Sequence, residues 1–231
     1  MMIIESMNAM AIEAMQEGDL FEAADAVNAT LAELSDCCLS PQPLGPPFST
    51  EQDDDDDDDD ELSQGVVVEP VKLEMHQAPS AIEHDFFNAP FYLGAQGKSL
   101  DSKCLPPRSH KICAMVSLFN LALCHHLHWL NHKEQSFLLS QALHYYQEAY
   151  SFALLLREEL SARDSTLKVL MAICVNGAHC SLELGQIQAV QFYNDQLARI
   201  VSFAHPSQRT KFFSQNAFYS RTVSYNTALA A

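Results

Sequence analysis

The sequence predicts an all-α protein, and three observations lead to this fold class. Apolar residues recur every three or four positions through much of the chain, most clearly in residues 112–156. The alternating Val, Ile and Thr patterns typical of strands are rare, and glycine is scarce, with seven in 231 residues. A hydrophobic content of 48% is enough to form a core in at least part of the chain.

Residues 112–156 are predicted to form two helices joined by a short polar turn at residues 131–134, and therefore an antiparallel hairpin. Both helices carry an apolar stripe. The stripe of the first helix consists of Ile112, Val116, Phe119, Leu123, Leu127 and Leu130, and that of the second consists of Ala142, Tyr146, Ala149 and Ala153.

Two further hairpins are predicted, one at each end of the chain. Residues 1–35 contain two apolar faces separated by Gly18 and Asp19. Residues 165–205 contain a stripe with small residues at its centre, a stop at Gly185 and a returning helix that ends before Pro206. Residues 111–205 are therefore expected to hold two hairpins, and residues 206–231 a polar tail with a short helix through Phe212.

Residues 36–110 have a different composition and are predicted to be a mostly disordered linker. They contain nine of the ten prolines and the acidic run at residues 53–60. Eight consecutive carboxylates repel one another and bury nothing, so they cannot offset the entropy cost of ordering. An exception is expected at residues 82–93, where several aromatic residues favour packing against the helices.

The net charge of −17 is unevenly distributed along the chain. Residues 1–35 carry −7, residues 36–110 carry −12, and residues 111–231 carry +2. Nucleic acid and anionic membranes would be repelled at long range, so neither is expected as a partner. The acidic run supports an alternative hypothesis, in which the protein is a regulator that acts through this insert.

The cysteines and the N-terminal residues indicate a reducing compartment. Seven cysteines contain no CxxC pair, and their odd number and irregular spacing do not suit a disulfide framework. The first ten residues, MMIIESMNAM, lack the basic start of a signal peptide, and no apolar run is expected to reach membrane-spanning length. A soluble protein of the cytoplasm or nucleus is therefore predicted.

The three predicted hairpins share a pattern of small residues, which resembles the tetratricopeptide repeat with its L-G-x2-Y and A-x3-F signature on two antiparallel helices. The phrase FNLALCHHL is also similar to a helix of tetratricopeptide-like proteins from diatoms. The matching positions are Met10, Ala11, Ala14, Ala23 and Val27 in the first hairpin; Leu121, Ala122, His125, Ala142 and Tyr146 in the second; and Gly177, Ala178, Ser181, Ala189 and Tyr193 in the third.

The resemblance implies a short α-solenoid whose inner helices line a groove for a peptide or helix of a partner protein. The implied groove contains no Lys or Arg, so an apolar or neutral segment would suit it better than an acidic tail. Self-association is a further expectation, because two or three hairpins are near the minimum for a stable stack. The implied groove residues are Val116, Phe119, Asn120, Leu123, His126, Ala172, Val175, Asn176, His179 and Leu182.

Asn120 and Asn176 occupy the same position in their repeats, so each is expected either to bind a ligand or to form an interhelical hydrogen bond. The alternative chemistry is a metal-binding sensor or enzyme, because His125, His128 and His132 fall on one helical face. No phosphate-binding glycine motif and no hydrolase or zinc-protease motif occurs in the sequence. The leading prediction is a non-enzymatic protein-interaction scaffold without a cofactor.

Overall fold

The structure, a computed structural model, describes residues 4–39, 66–73, 86–95, 105–162 and 164–215. The acidic run at residues 53–60 lies outside these ranges. Within them the chain is mostly helical, as predicted, and also contains one two-stranded sheet. The helices are α1 (Ile4–Glu17), α2 (Leu20–Leu39), α3 (Pro107–Asn131), α4 (Ser136–Leu156), α5 (Thr166–Glu183), α6 (Ile187–Phe203) and α7 (Pro206–Gln215), and the strands are β1 (Val66–Pro70) and β2 (Phe91–Ala95).

Successive helices pack against each other along the chain, from α1 on α2 to α5 on α6. The turns after α1 and α5 use Gly18 and Gly185, which have positive φ angles of 85° and 70°. Glycine adopts this backbone conformation without the steric cost that a Cβ would add. Two helices extend beyond the expected boundaries, because α2 continues to Leu39 and α3 begins at Pro107. A proline at the first position of a helix loses no hydrogen bond.

The central helix of the fold is α3, which packs against α2, α4, α5 and β2. By length and composition it is apolar enough to cross a membrane, which the sequence analysis did not anticipate. However, 89% of the apolar stretch that is long enough to cross a membrane is buried inside the protein. A helix surrounded by neighbours needs apolar residues on every face, so its composition is that of a core helix.

The two strands lie in the region that was expected to be a linker. They pair antiparallel, with Val68 opposite Leu93. Strand β2 lies against α1 and α3. The expectation that the aromatic residues near position 90 pack on the helices is correct, since Phe86, Phe87 and Phe91 are each at most 2% exposed. Residues 66–73 are thus ordered, which the linker prediction did not include, whereas residues 86–93 belong to the exception that it made.

Small residues permit close approach between paired helices, but not at every predicted position. Ala122 and Ala142 are fully buried, as expected. In the third hairpin the close contact is at Gly177, whereas Ala178 is only half-buried. A Cβ atom added at Gly177 would lie 2.5 Å from Cζ of Tyr193. The ring of Tyr193 thus fills the space that the glycine leaves open.

We expect Gly177→Ala to destabilise the protein by about 1–3 kcal/mol, because the added methyl group overpacks the contact with Tyr193. This cost exceeds the gain of roughly 1 kcal/mol that alanine brings to a helix interior. Urea unfolding measures the difference. The double variant Gly177→Ala/Tyr193→Leu should recover part of the loss; if it is no more stable than Gly177→Ala, the steric explanation is wrong.

Candidate functional site

The first helices of the three hairpins, α1, α3 and α5, bind an extended stretch of the same chain. This stretch, residues 86–95, is called here the internal segment, and it includes β2. The surface that α1, α3 and α5 present to it is called the inner face. The contacts that define the inner face are hydrogen bonds from asparagine side chains to the main chain of the internal segment.

Asn120 and Asn176 make the same pair of hydrogen bonds, each to a single residue of the internal segment. The Oδ1 atom of Asn120 accepts from the N–H of Phe91 at 2.9 Å, and its Nδ2 donates to the Phe91 carbonyl at 2.8 Å. The Oδ1 atom of Asn176 accepts from the N–H of Phe87 at 2.7 Å, and its Nδ2 donates to the Phe87 carbonyl at 2.9 Å. Both side chains are completely buried.

A third asparagine, Asn8 of α1, extends this arrangement toward the end of the segment. Its Oδ1 atom accepts from the N–H of Leu93 at 2.9 Å, and its Nδ2 donates to the Phe91 carbonyl at 3.3 Å. In an extended chain, residues two apart direct their main-chain groups to the same side. The asparagines therefore satisfy one edge of β2, while β1 pairs with the other edge.

Four apolar side chains anchor the internal segment in the core. Phe86, Phe87, Phe91 and Leu93 are each at most 2% exposed. The ring of Phe87 stacks between Phe91 and Phe212 of α7, with centroid distances of 5.2 and 5.5 Å. Full burial of such a side chain contributes about 1.5–3 kcal/mol, so the four together contribute roughly 6–12 kcal/mol as an upper limit.

Phe86 covers a pair of histidines at the end of the inner face. Nε2 of His126 lies 3.0 Å from Nδ1 of His179, and the ring of Phe86 stacks on His126 with a centroid distance of 4.1 Å. Cys180 is also nearby, with its Sγ 3.6 Å from Nδ1 of His126. Burial raises the pKa of the Cys180 thiol well above its usual value, so the thiol is protonated at neutral pH. It is therefore a poor nucleophile.

The structure brings five of the predicted groove residues together around the internal segment: Phe119, Asn120, His126, Asn176 and His179. The remaining predicted positions do not form an open surface. Val116, Leu123, Ala172 and Val175 are buried in the core, and Leu182 is 55% exposed. The expected open groove is thus filled by the chain itself, because the aromatic side chains of the insert are buried there.

The interhelical hydrogen bond expected of the asparagines occurs at Asn176, whose Nδ2 donates to the hydroxyl of Tyr146 on α4 at 2.8 Å. The segment whose main chain Asn176 also binds belongs to the same chain, so the ligand role stays a prediction. Sequence reasoning missed Asn8 and Tyr146 as parts of the site. The available signal was an asparagine in the first helix of every hairpin, at positions 8, 120 and 176.

The three histidines of the metal hypothesis make ring contacts, and two of them contact each other. His125 stacks on Tyr145 with a centroid distance of 5.4 Å. His128 contacts both His132, at 5.0 Å, and Phe21. Among the residues that the structure describes, no group of three histidine, cysteine or acidic side chains is arranged to hold a metal ion. The geometry of this helical face thus favours aromatic packing over coordination.

Comparisons with protein-family models, with curated proteins and with solved structures give no match for this chain. The tetratricopeptide resemblance therefore stays a prediction, and the function of the inner face is inferred from its geometry.

We expect Asn120→Ala to lower the free energy of unfolding by about 2–4 kcal/mol, because it leaves the N–H of Phe91 buried without a partner and leaves its carbonyl only the longer hydrogen bond from Asn8. Chemical denaturation measures the loss, and hydrogen exchange at the Phe91 amide should accelerate. Asn131→Ala, at the exposed end of the same helix, is the matched control and should change stability by less than about 0.5 kcal/mol. Equal effects of the two variants would contradict the role of Asn120.

Acidification should destabilise the protein in part through His125. Burial, with a smaller effect of His128, lowers the pKa of His125 below its usual value. Between that lowered pKa and roughly pH 6.5 the unfolded state binds more protons than the folded state, so stability falls as the pH falls. The Tm of His125→Asn should therefore fall by less between pH 7.5 and pH 5 than the Tm of the wild type does. His144→Asn, at an exposed histidine, is the control, and an unchanged pH dependence in His125→Asn would refute the expectation.

Proposed function

We propose that this chain is a non-enzymatic interaction scaffold, a short tetratricopeptide-like stack of hairpins whose inner face binds an extended segment of a partner protein. One observation supports this proposal most directly. Three buried asparagines, one from the first helix of each hairpin, are hydrogen-bonded to the main chain of an extended segment. Side chains that form hydrogen bonds with main-chain groups can bind peptides of different sequence, and a peptide-binding surface needs such contacts.

The chemistry of the inner face defines which segments it suits. Hydrogen bonds and ring contacts join the internal segment to amides, imidazoles and aromatic rings, and to the carboxylate of Glu5, which accepts from the hydroxyl of Tyr92. None of these contact residues is a lysine or arginine. An uncharged segment with aromatic side chains therefore fits better than an acidic tail. The net charge of −17 disfavours nucleic acid and anionic membranes, which makes another protein the preferred class of partner. We place the protein in the cytoplasm or nucleus.

The environment of the reactive side chains supports a binding role over catalysis. Burial raises the pKa of Cys113 to about 12 and raises the pKa values of Cys124 and Cys174 further. Thiols with such values stay protonated and do not act as nucleophiles at neutral pH. The buried histidine His126 lies under the ring of Phe86, which separates it from solvent.

Peptide binding in trans tests the proposal. In the double variant Phe87→Ser/Phe91→Ser the internal segment loses two of its apolar anchors, so the inner face should accept a labelled synthetic peptide of residues 84–97. We expect saturable binding in fluorescence anisotropy. The control peptide carries N-methyl groups at Phe91 and Leu93, which removes two donors to buried asparagines and should weaken binding at least about tenfold.

Circular dichroism must show that the double variant retains its helices, and Phe87→Ala replaces it if it does not. A helical variant that binds neither peptide would contradict the proposed function. Equal binding of the two peptides would show that the asparagines do not form hydrogen bonds with the main chain of the peptide. That result would contradict the proposed function as well.

A further inference from the structure

We infer that the internal segment is a built-in competitor for the inner face, and that its anchors define the partner sequence that the inner face accepts. The inference rests on the proposed function and names the class of ligand for the same site. That class is an extended, uncharged segment with two adjacent aromatic residues, a third aromatic residue four positions later and an aliphatic residue two positions after that. In this chain the four positions are Phe86, Phe87, Phe91 and Leu93.

Each anchor has a distinct environment, so the four positions are not interchangeable. Phe86 stacks on His126 and lies near His179, with centroid distances of 4.1 and 5.3 Å. Phe87 stacks in a purely aromatic slot between Phe91 and Phe212 of α7. We therefore expect the position of Phe87 to accept only an aromatic residue, because a flat ring can stack on Phe91 and Phe212 at the same time and an aliphatic side chain cannot.

The third and fourth anchors are fixed in register by the asparagines. Phe91 meets the ring of Phe119 edge to face at 5.1 Å while its main chain is bound by Asn120. Leu93 is completely buried while its N–H is bound by Asn8. A shift of one residue would turn both side chains away from the core and remove both hydrogen bonds. The spacing of the motif is therefore as important as its composition.

Three of the four residues between Phe87 and Leu93 that are not anchors are less constrained, whereas Pro90 is buried. Asn88 and Ala89 are half-buried, and Tyr92 is half-buried with its hydroxyl donating to a carboxylate oxygen of Glu5 at 2.6 Å. A charge at one of the four anchors would instead be buried among aromatic rings and amides. Such burial without a partner is strongly unfavourable, so acidic and basic residues are excluded from the anchors.

The internal segment competes because it is part of the same chain. A tethered ligand acts at an effective concentration in the millimolar range, and a free peptide binds only to the fraction of molecules in which the site is empty. The segment can leave without breaking a helix, because the helices make their backbone hydrogen bonds internally and pack directly on one another. Weakening the internal segment should therefore strengthen binding in trans.

The test compares binding of the labelled peptide of residues 84–97 to the full-length wild type and to the full-length Phe91→Ala variant. We expect the variant to bind at least a hundredfold more tightly than the wild type. Phe192→Ala, at a 45% exposed phenylalanine on α6, is the matched control and should bind the peptide as the wild type does. If Phe91→Ala loses its helices by circular dichroism, Phe86→Ala takes its place.

A scan of the peptide tests the motif with the same variant. Alanine at any of the four anchor positions should weaken binding at least tenfold, whereas Asn88→Ala and Ala89→Ser should change it less than threefold. Loss of binding that is equal at anchor and intervening positions would overturn the motif. Equal affinity of the wild type and Phe91→Ala would overturn the competition while leaving peptide binding intact, and no binding to either chain would overturn the proposed function with it.

Discussion

The hydrogen bonds between three asparagine side chains and the main chain of residues 87–93 are the interaction on which the burial of the internal segment depends. A buried main chain must have its N–H and carbonyl groups paired, and β1 supplies partners on only one side of β2. Asn8 and Asn120 supply them on the other side, and Asn176 does so at Phe87. Only with those groups paired can Phe86, Phe87 and Phe91 be buried at low cost.

This arrangement divides recognition into two physical parts. The amides hold an extended backbone irrespective of its sequence and set its register, while the aromatic slots select the side chains. Tyr146 links the two parts, since its hydroxyl accepts from Asn176 and its ring packs near Phe119. We propose that a surface built in this way recognises a short linear segment, with neither the cations that bind acidic tails nor a reactive group.

Parts of the site could be predicted because the tetratricopeptide resemblance, with its helical register, implies them. That register gave Phe119, Asn120 and His126 in the second hairpin and Asn176 in the third. Packing of residues 82–93 on the helices was expected from their aromatic side chains, but their position on the inner face was not, because no local pattern shows which helices a distant segment contacts. Gly177 and Ala178 were both among the matching positions, but the close contact was expected at Ala178 and lies at Gly177, because a difference of one residue rotates the contact by about 100° and only packing decides it.

The sequence by itself determined the helices and their pairing through short turns, because these follow from local periodicity and composition. Only the tertiary structure decided that the inner face is filled by the chain's own residues 86–95. Hydrogen bonds such as that between Phe87 and Asn176 join positions 89 residues apart. No local pattern encodes a contact over that separation. The contact depends on which helices bury the aromatic side chains and which side chains form hydrogen bonds with the main chain.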